Sequence, residues 1–133
     1  MQFDKQKSPR ILIVEDEPII ALSLEEILVD AGFTIAAVVH KLDKALVLIE
    51  SRACDAAIID ANLAGVSASP AASALAKHGL PFIVLSGYSR EQLQGDFPGA
   101  HFMQKPCQPA QVIKAVSAMV LKHQLLTTAE GNT

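Results

Sequence analysis

Cysteine is scarce in this 133-residue chain: Cys54 and Cys107 are the only two, far apart and outside any C-x-x-C pair. Neither a zinc site nor a redox motif is supported, and a reducing compartment, the cytoplasm, is expected. Long apolar runs are missing as well. The polar start, MQFDKQKSPR, leads into a run of only four apolar residues, too short for a signal-peptide core, and no stretch approaches a membrane span. Basic clusters are also missing. Formal net charge is -3, and Lys and Arg are scattered instead of forming the stripe that neutralises nucleic-acid phosphates. Direct nucleic-acid binding is therefore disfavoured. The histidines, His40, His78, His101 and His123, share no spacing that suggests a metal site, so surface or loop positions are expected for them.

What is present is apolar. Half the residues are hydrophobic and 19% are charged, a composition that folds, in a chain long enough to bury one core without disulfides. Short runs rich in Ile, Val and Ala alternate with longer stretches whose apolar residues recur at helical spacing. That alternation predicts an α/β domain, a parallel sheet with helices on both faces. Strands are expected at Arg10–Val14, Thr34–Val39, Ala56–Ile59, Phe82–Leu85 and around Phe102 and Met103. Between the first two, Pro18 opens a helix with Ile20, Leu24, Ile27 and Leu28 on one stripe, and Gly32 ends it. Leu42, Leu46 and Ile49 mark a second helix, and Ala71, Leu75 and Ala76 a third that follows a loop, ANLAGVSASP. Ser89–Gly99 reads as a short or frayed helix. Pro109 opens the last helix, with Val112, Ile113, Val116, Met119 and Val120 inward. The domain is expected over residues 9–126, after a flexible start at 1–8 and before a disordered tail at 127–133.

In such a sheet ligands bind at the carboxyl ends of the strands. The residues placed there are Glu15 and Asp16 after the first strand, Asp60 after the third, Ser86 after the fourth and Lys105 after the fifth. Glu15 and Asp16 taken alone would simply favour the start of a helix, Ser86 a turn, and Lys105 the surface. Together they read differently. Three carboxylates on one edge repel one another unless a cation lies among them, and an all-oxygen ligand set with no His or Cys suits Mg2+. Asp60 is then a plausible nucleophile toward phosphorus, Lys105 and the metal neutralise the transferring group, and Ser86 donates a hydrogen bond to it.

The segments ILIVEDEP, IIDANLAG, PFIVLSGY and MQKPCQP, in this order, resemble the receiver domain of bacterial two-component response regulators over Arg10 to about Leu121. The resemblance implies a doubly wound, flavodoxin-like five-stranded parallel sheet of order 2-1-3-4-5. It implies that Asp60 is phosphorylated, that Glu15 and Asp16 are the acidic pair at the metal, and that Asn62 lends its backbone carbonyl. By the same resemblance Ser86 is the switch hydroxyl, Phe102 the rotating aromatic, Lys105 the phosphate-facing lysine, and Lys105–Pro106 a cis bond. HGLPFIVLSGYS is similar to a subgroup of single-domain alphaproteobacterial regulators with a Pro-Phe-x-Phe-Ala-Thr-Gly signature, departing from it at Val84, Leu85 and Ser86. Cys107 stands where an aromatic is common. Tyr88, two residues after Ser86, is placed to shield the phosphoryl group.

The expected function is that of a stand-alone response regulator taking a phosphoryl group from a sensor histidine kinase or histidine phosphotransfer protein, then binding a partner, such as another regulator, or draining phosphate. It is expected to be a signalling domain and not a turnover enzyme, and a monomer or weak homodimer. Two other readings remain open: a phosphorylation-independent scaffold, and an aspartate-nucleophile phosphatase. The latter needs a second acid two residues after the nucleophile, where this chain has Asn62.

Overall fold

The computed structural model describes residues 8–87, 97, 98 and 100–131, with side chains to residue 125. Five parallel strands, β1 (Arg10–Val14), β2 (Thr34–Val39), β3 (Ala56–Asp60), β6 (Phe82–Ser86) and β7 (His101–Gln104), form one sheet in the order β2-β1-β3-β6-β7. Counted within that sheet, this is the expected 2-1-3-4-5 order. The helices among the described residues are α1 (Pro18–Asp30), α2 (Leu42–Glu50), α3 (Ser69–Lys77) and α4 (Pro109–Gly131).

Strand residues alternate between two cores. Leu12, Val14, Ala57, Ile59 and Val84 face α2 and α3, joined by Phe97 and the partly buried Phe102. Ile11, Ile13, Ala56, Ile58, Ile83 and Leu85 face α1 and α4, where they meet Leu24, Leu28, Val112, Val116 and Val120. Burial on both faces explains why these strands read as unbroken apolar runs.

The helix ends have local causes. Gly32, at φ 96°, lets its own N–H reach the Val29 carbonyl at 3.0 Å while Phe33 N–H reaches Leu28 at 2.9 Å, so α1 closes in a Schellman motif. Gly79 does the same for α3. At the end of α2 that place is held by Arg52 at φ 60°, a conformation costly for a side chain with a Cβ. Its carbonyl accepts from Arg10 Nη2 at 3.1 Å, and Arg10 also grips Asp55 through Nε at 3.1 Å and Nη2 at 3.2 Å.

Two segments differ from the sequence expectation. Within ANLAGVSASP the structure places a small antiparallel hairpin, β4 (Asn62–Leu63) with β5 (Val66–Ser67), where a loop was expected. The last helix runs to Gly131, past residue 127, because no Pro or Gly interrupts it after Pro109. Tyr88 and most of Ser89–Gly99, read as a short or frayed helix, lie outside the described residues, as does most of the expected flexible start. No helix among the described residues is long and apolar enough to cross a membrane.

Candidate functional site

All five strands point the same way, so their carboxyl ends share one edge of the sheet. The chain leaves β1 for β2 on one side and places β3 on the other, which opens a crevice between the ends of β1 and β3. Glu15 and Asp16 follow β1, Asp60 is the last residue of β3, Ser86 the last of β6, and Lys105 follows β7.

The side chains of Glu15, Asp16, Asp60 and Lys105 come together here, and Ser86 joins them through its backbone. Carboxylate oxygens of Glu15, Asp16 and Asp60 all lie within 4.8 Å of one another. Lys105 Nζ donates to Asp60 Oδ2 at 2.9 Å and to Glu15 Oε2 at 3.0 Å. Backbone bonds hold the frame: Lys105 N–H donates to the Ser86 carbonyl at 2.8 Å, and Asn62 N–H to Asp60 Oδ1 at 3.2 Å. Ser86 is buried, and Phe102 sits edge-on to Phe97 with centroids 6.1 Å apart. The Lys105–Pro106 bond is cis, as the resemblance implies.

Charge is out of balance here. Three carboxylates face one ammonium, which leaves two formal negative charges in excess. Glu15 is fully buried and Asp60 only 7% exposed, so water cannot disperse that charge. Burial first, then the hydrogen bond and charge of Asp60, push the Glu15 carboxyl up to about 7, against the opposing pull of Lys105 and the Glu17 N–H. Burial also opposes the Lys105 charge, but its bonds to Asp60 and Glu15 outweigh this and its pKa is raised. A buried acid forced to keep its proton near neutrality is a place for a cation. The donors are all hard oxygens, so they fit Mg2+.

A pH dependence follows. Glu15 ordinarily titrates near 4.5 and here near 7, so the folded metal-free protein holds a proton that the unfolded chain has released. This proton's contribution is complete below pH 4.5 and lost as pH rises through 7. Urea unfolding without Mg2+ is expected to show a decline on the order of 2 kcal/mol from this group between pH 5 and 8.5. Glu15→Gln should flatten it, and Mg2+ at pH 8.5 should reverse it in wild type. Identical pH slopes in wild type and Glu15→Gln would contradict the assignment.

The response regulator receiver domain family matches residues 11–117. The chain belongs to that family. This receiver domain is 33% identical over 126 residues to the phyllosphere-induced regulator PhyR of Methylorubrum extorquens, covering 92% of this chain and 47% of that protein. It is 29% identical over 126 residues to the transcriptional regulatory protein PdtaR of Mycobacterium tuberculosis, covering 92% of this chain and 62% of that protein. The chain thus spans about half to three fifths of the curated relatives it matches. Among solved structures it resembles the receiver domain of Erythrobacter litoralis PhyR, with a TM-score of 0.76 and 27% identity, covering 89% of this chain and 94% of that one.

Proposed function

We propose that this receiver domain takes a phosphoryl group onto Asp60 from a histidine kinase or histidine phosphotransfer protein, with Mg2+ bound, and signals by binding a protein partner in its phosphorylated form. The observation that carries this reading is the ammonium of Lys105 within hydrogen-bond reach of Asp60, with two further acids alongside.

An Asp60 carboxylate oxygen forms a bond to phosphorus as the phosphorus–nitrogen bond of the donor phosphohistidine breaks, and the departing imidazole takes up a proton from solvent. Lys105 already bridges two carboxylates, so it follows the negative charge as it moves onto the phosphoryl oxygens. Ser86 donates a hydrogen bond to one of them. Asp16, Asp60 and the Asn62 carbonyl, with Glu15 beside them, are the groups that would hold Mg2+, which supplies positive charge against the equatorial oxygens when bound. Movement of Ser86 toward the phosphoryl group opens space for Phe102 to turn inward, which changes the surface around β6 and β7.

The chain is a signalling domain and not a turnover phosphatase in this reading. Supporting this, Asn62 stands where a phosphatase needs its second acid, and its Oδ1 accepts the Gly65 N–H at 2.6 Å within the hairpin turn. PhyR and PdtaR are both named as regulators, which supports a regulatory role, and the partner in this reading is another regulator or the kinase itself.

Intact mass after incubation with acetyl phosphate tests the proposal. With Mg2+ the protein should gain about 80 Da, one phosphate. With a chelator it should gain nothing. No gain from acetyl phosphate or from a phosphorylated histidine kinase would leave the scaffold reading in its place.

A further inference from the structure

Glu15 is held at its backbone as well as at its side chain. Its N–H donates to the Val39 carbonyl at 3.0 Å, and its carbonyl lies 2.8 Å from Nδ1 of His40. The register of the β1–β2 ladder runs Val14 opposite Val39, which puts Glu15 opposite His40. In a parallel ladder the N–H and C=O of one residue bond to the two neighbours of its partner. Val39 supplies the first of these bonds. The second would come from the N–H of Lys41, but β2 ends at Val39 and Lys41 caps α2. The imidazole reaches back and takes that place. A carbonyl only accepts, so the proton of this bond sits on Nδ1.

We infer that His40 is a positioning residue for the metal-binding acidic loop: its Nδ1–H replaces the missing ladder bond to the Glu15 carbonyl and so fixes where Glu15 and Asp16 enter the crevice. The inference rests on the reading of that crevice as a Mg2+ and phosphoryl site. Among the described residues, the hydrogen bonds to the Glu15 carboxylate come from its own loop and from across the site. Glu17 N–H donates to Oε1 at 3.2 Å and Lys105 to Oε2. Removal of the imidazole frees the carbonyl at the point where β1 gives way to the loop, and both acids lose one of the two backbone ties that fix their origin. Side chains that orient metal-binding residues commonly change affinity without changing the ligand set.

Isothermal titration of wild type, His40→Ala and His40→Asn with Mg2+ tests this, with thermal melts alongside. Asparagine carries an amide N–H at nearly the same reach as Nδ1, so it restores the bond without the ring. His40→Ala should bind Mg2+ about 10-fold more weakly, the low end of the range for a group that orients a metal-binding residue. It should need correspondingly more Mg2+ for half-maximal phosphorylation yet reach the wild-type extent at saturation. His40→Asn should stay within about twofold of wild type. Wild-type affinity in His40→Ala overturns the inference, as does an equal loss in both variants. A wild type that neither binds Mg2+ nor gains phosphate overturns the proposed function itself, which separates the two failures.

Discussion

Asp60→Asn is expected to gain no phosphate under conditions that add about 80 Da to the wild type. An amide is a poor nucleophile toward phosphorus, and the substitution is otherwise nearly isosteric. The Asn62 N–H that now donates to Asp60 Oδ1 finds an oxygen in the same place, and Lys105 keeps its bond to Glu15. The loss of phosphorylation is therefore not the result of a collapsed site. A second effect distinguishes this variant from a merely damaged protein. Asp60 raises the Glu15 pKa through both a hydrogen bond and its charge, so its neutralisation lets Glu15 ionise more readily. Without Mg2+ at pH 8, Asp60→Asn should unfold at a higher urea concentration than wild type. A wild-type mass gain in the variant would move the phosphoacceptor to another acid of the cluster, with Asp16 the first to test.

Lys105→Ala should slow phosphoryl gain about 10²–10³-fold at saturating Mg2+, the range seen when one preorganised donor to a developing charge is removed. The lysine side chain is only 23% exposed and its ammonium is fixed by two carboxylates before any phosphodonor arrives. Nothing must be reorganised for it to meet the transferring group. Its removal also leaves two buried acids facing each other, and Glu15 then holds its proton still more firmly. A time course of intact mass gives the rate. A slowing of less than threefold would remove Lys105 from the mechanism.

The sheet was legible because its central strands, β1, β3 and β6, are buried on both faces. Leu12 and Ile13 point to opposite cores, so neither face offers a polar residue to interrupt the run. The site was legible for the same reason: a charged or hydroxyl residue directly after such a run has nowhere to go but the strand-end crevice. Details that depend on register or on backbone conformation were not. The hairpin after Asp60 turns through Ala64 at φ 54° and Gly65 at φ 91°, and only the glycine signals a left-handed residue in sequence. Arg52 ends α2 in the same conformation with no glycine to announce it. The His40 contact requires knowing that Glu15 lies opposite it across β1 and β2, a pairing that no local pattern encodes. A disordered tail was expected from Thr127 because chain ends fray, but α4 continues to Gly131.

Asp60 is a rung of the sheet and not part of a loop. It pairs with Leu85, Ala61 N–H binds the Leu85 carbonyl at 2.8 Å, and Ala68 N–H binds the Ala61 carbonyl at 2.9 Å, so the chain is fixed on either side of the proposed nucleophile. The search for the attacking geometry is thus completed when the protein folds, and the encounter with a donor involves only the donor's own freedom. Reactions between groups held in alignment reach effective molarities of roughly 10⁵–10⁸ M, and that advantage needs both partners restrained. If Asp60 is the phosphoacceptor as proposed, differences in speed among donors are expected to trace to how well each donor is held. A small molecule such as acetyl phosphate is slowed by its own tumbling, while a phosphohistidine on a docked protein arrives with its orientation already settled.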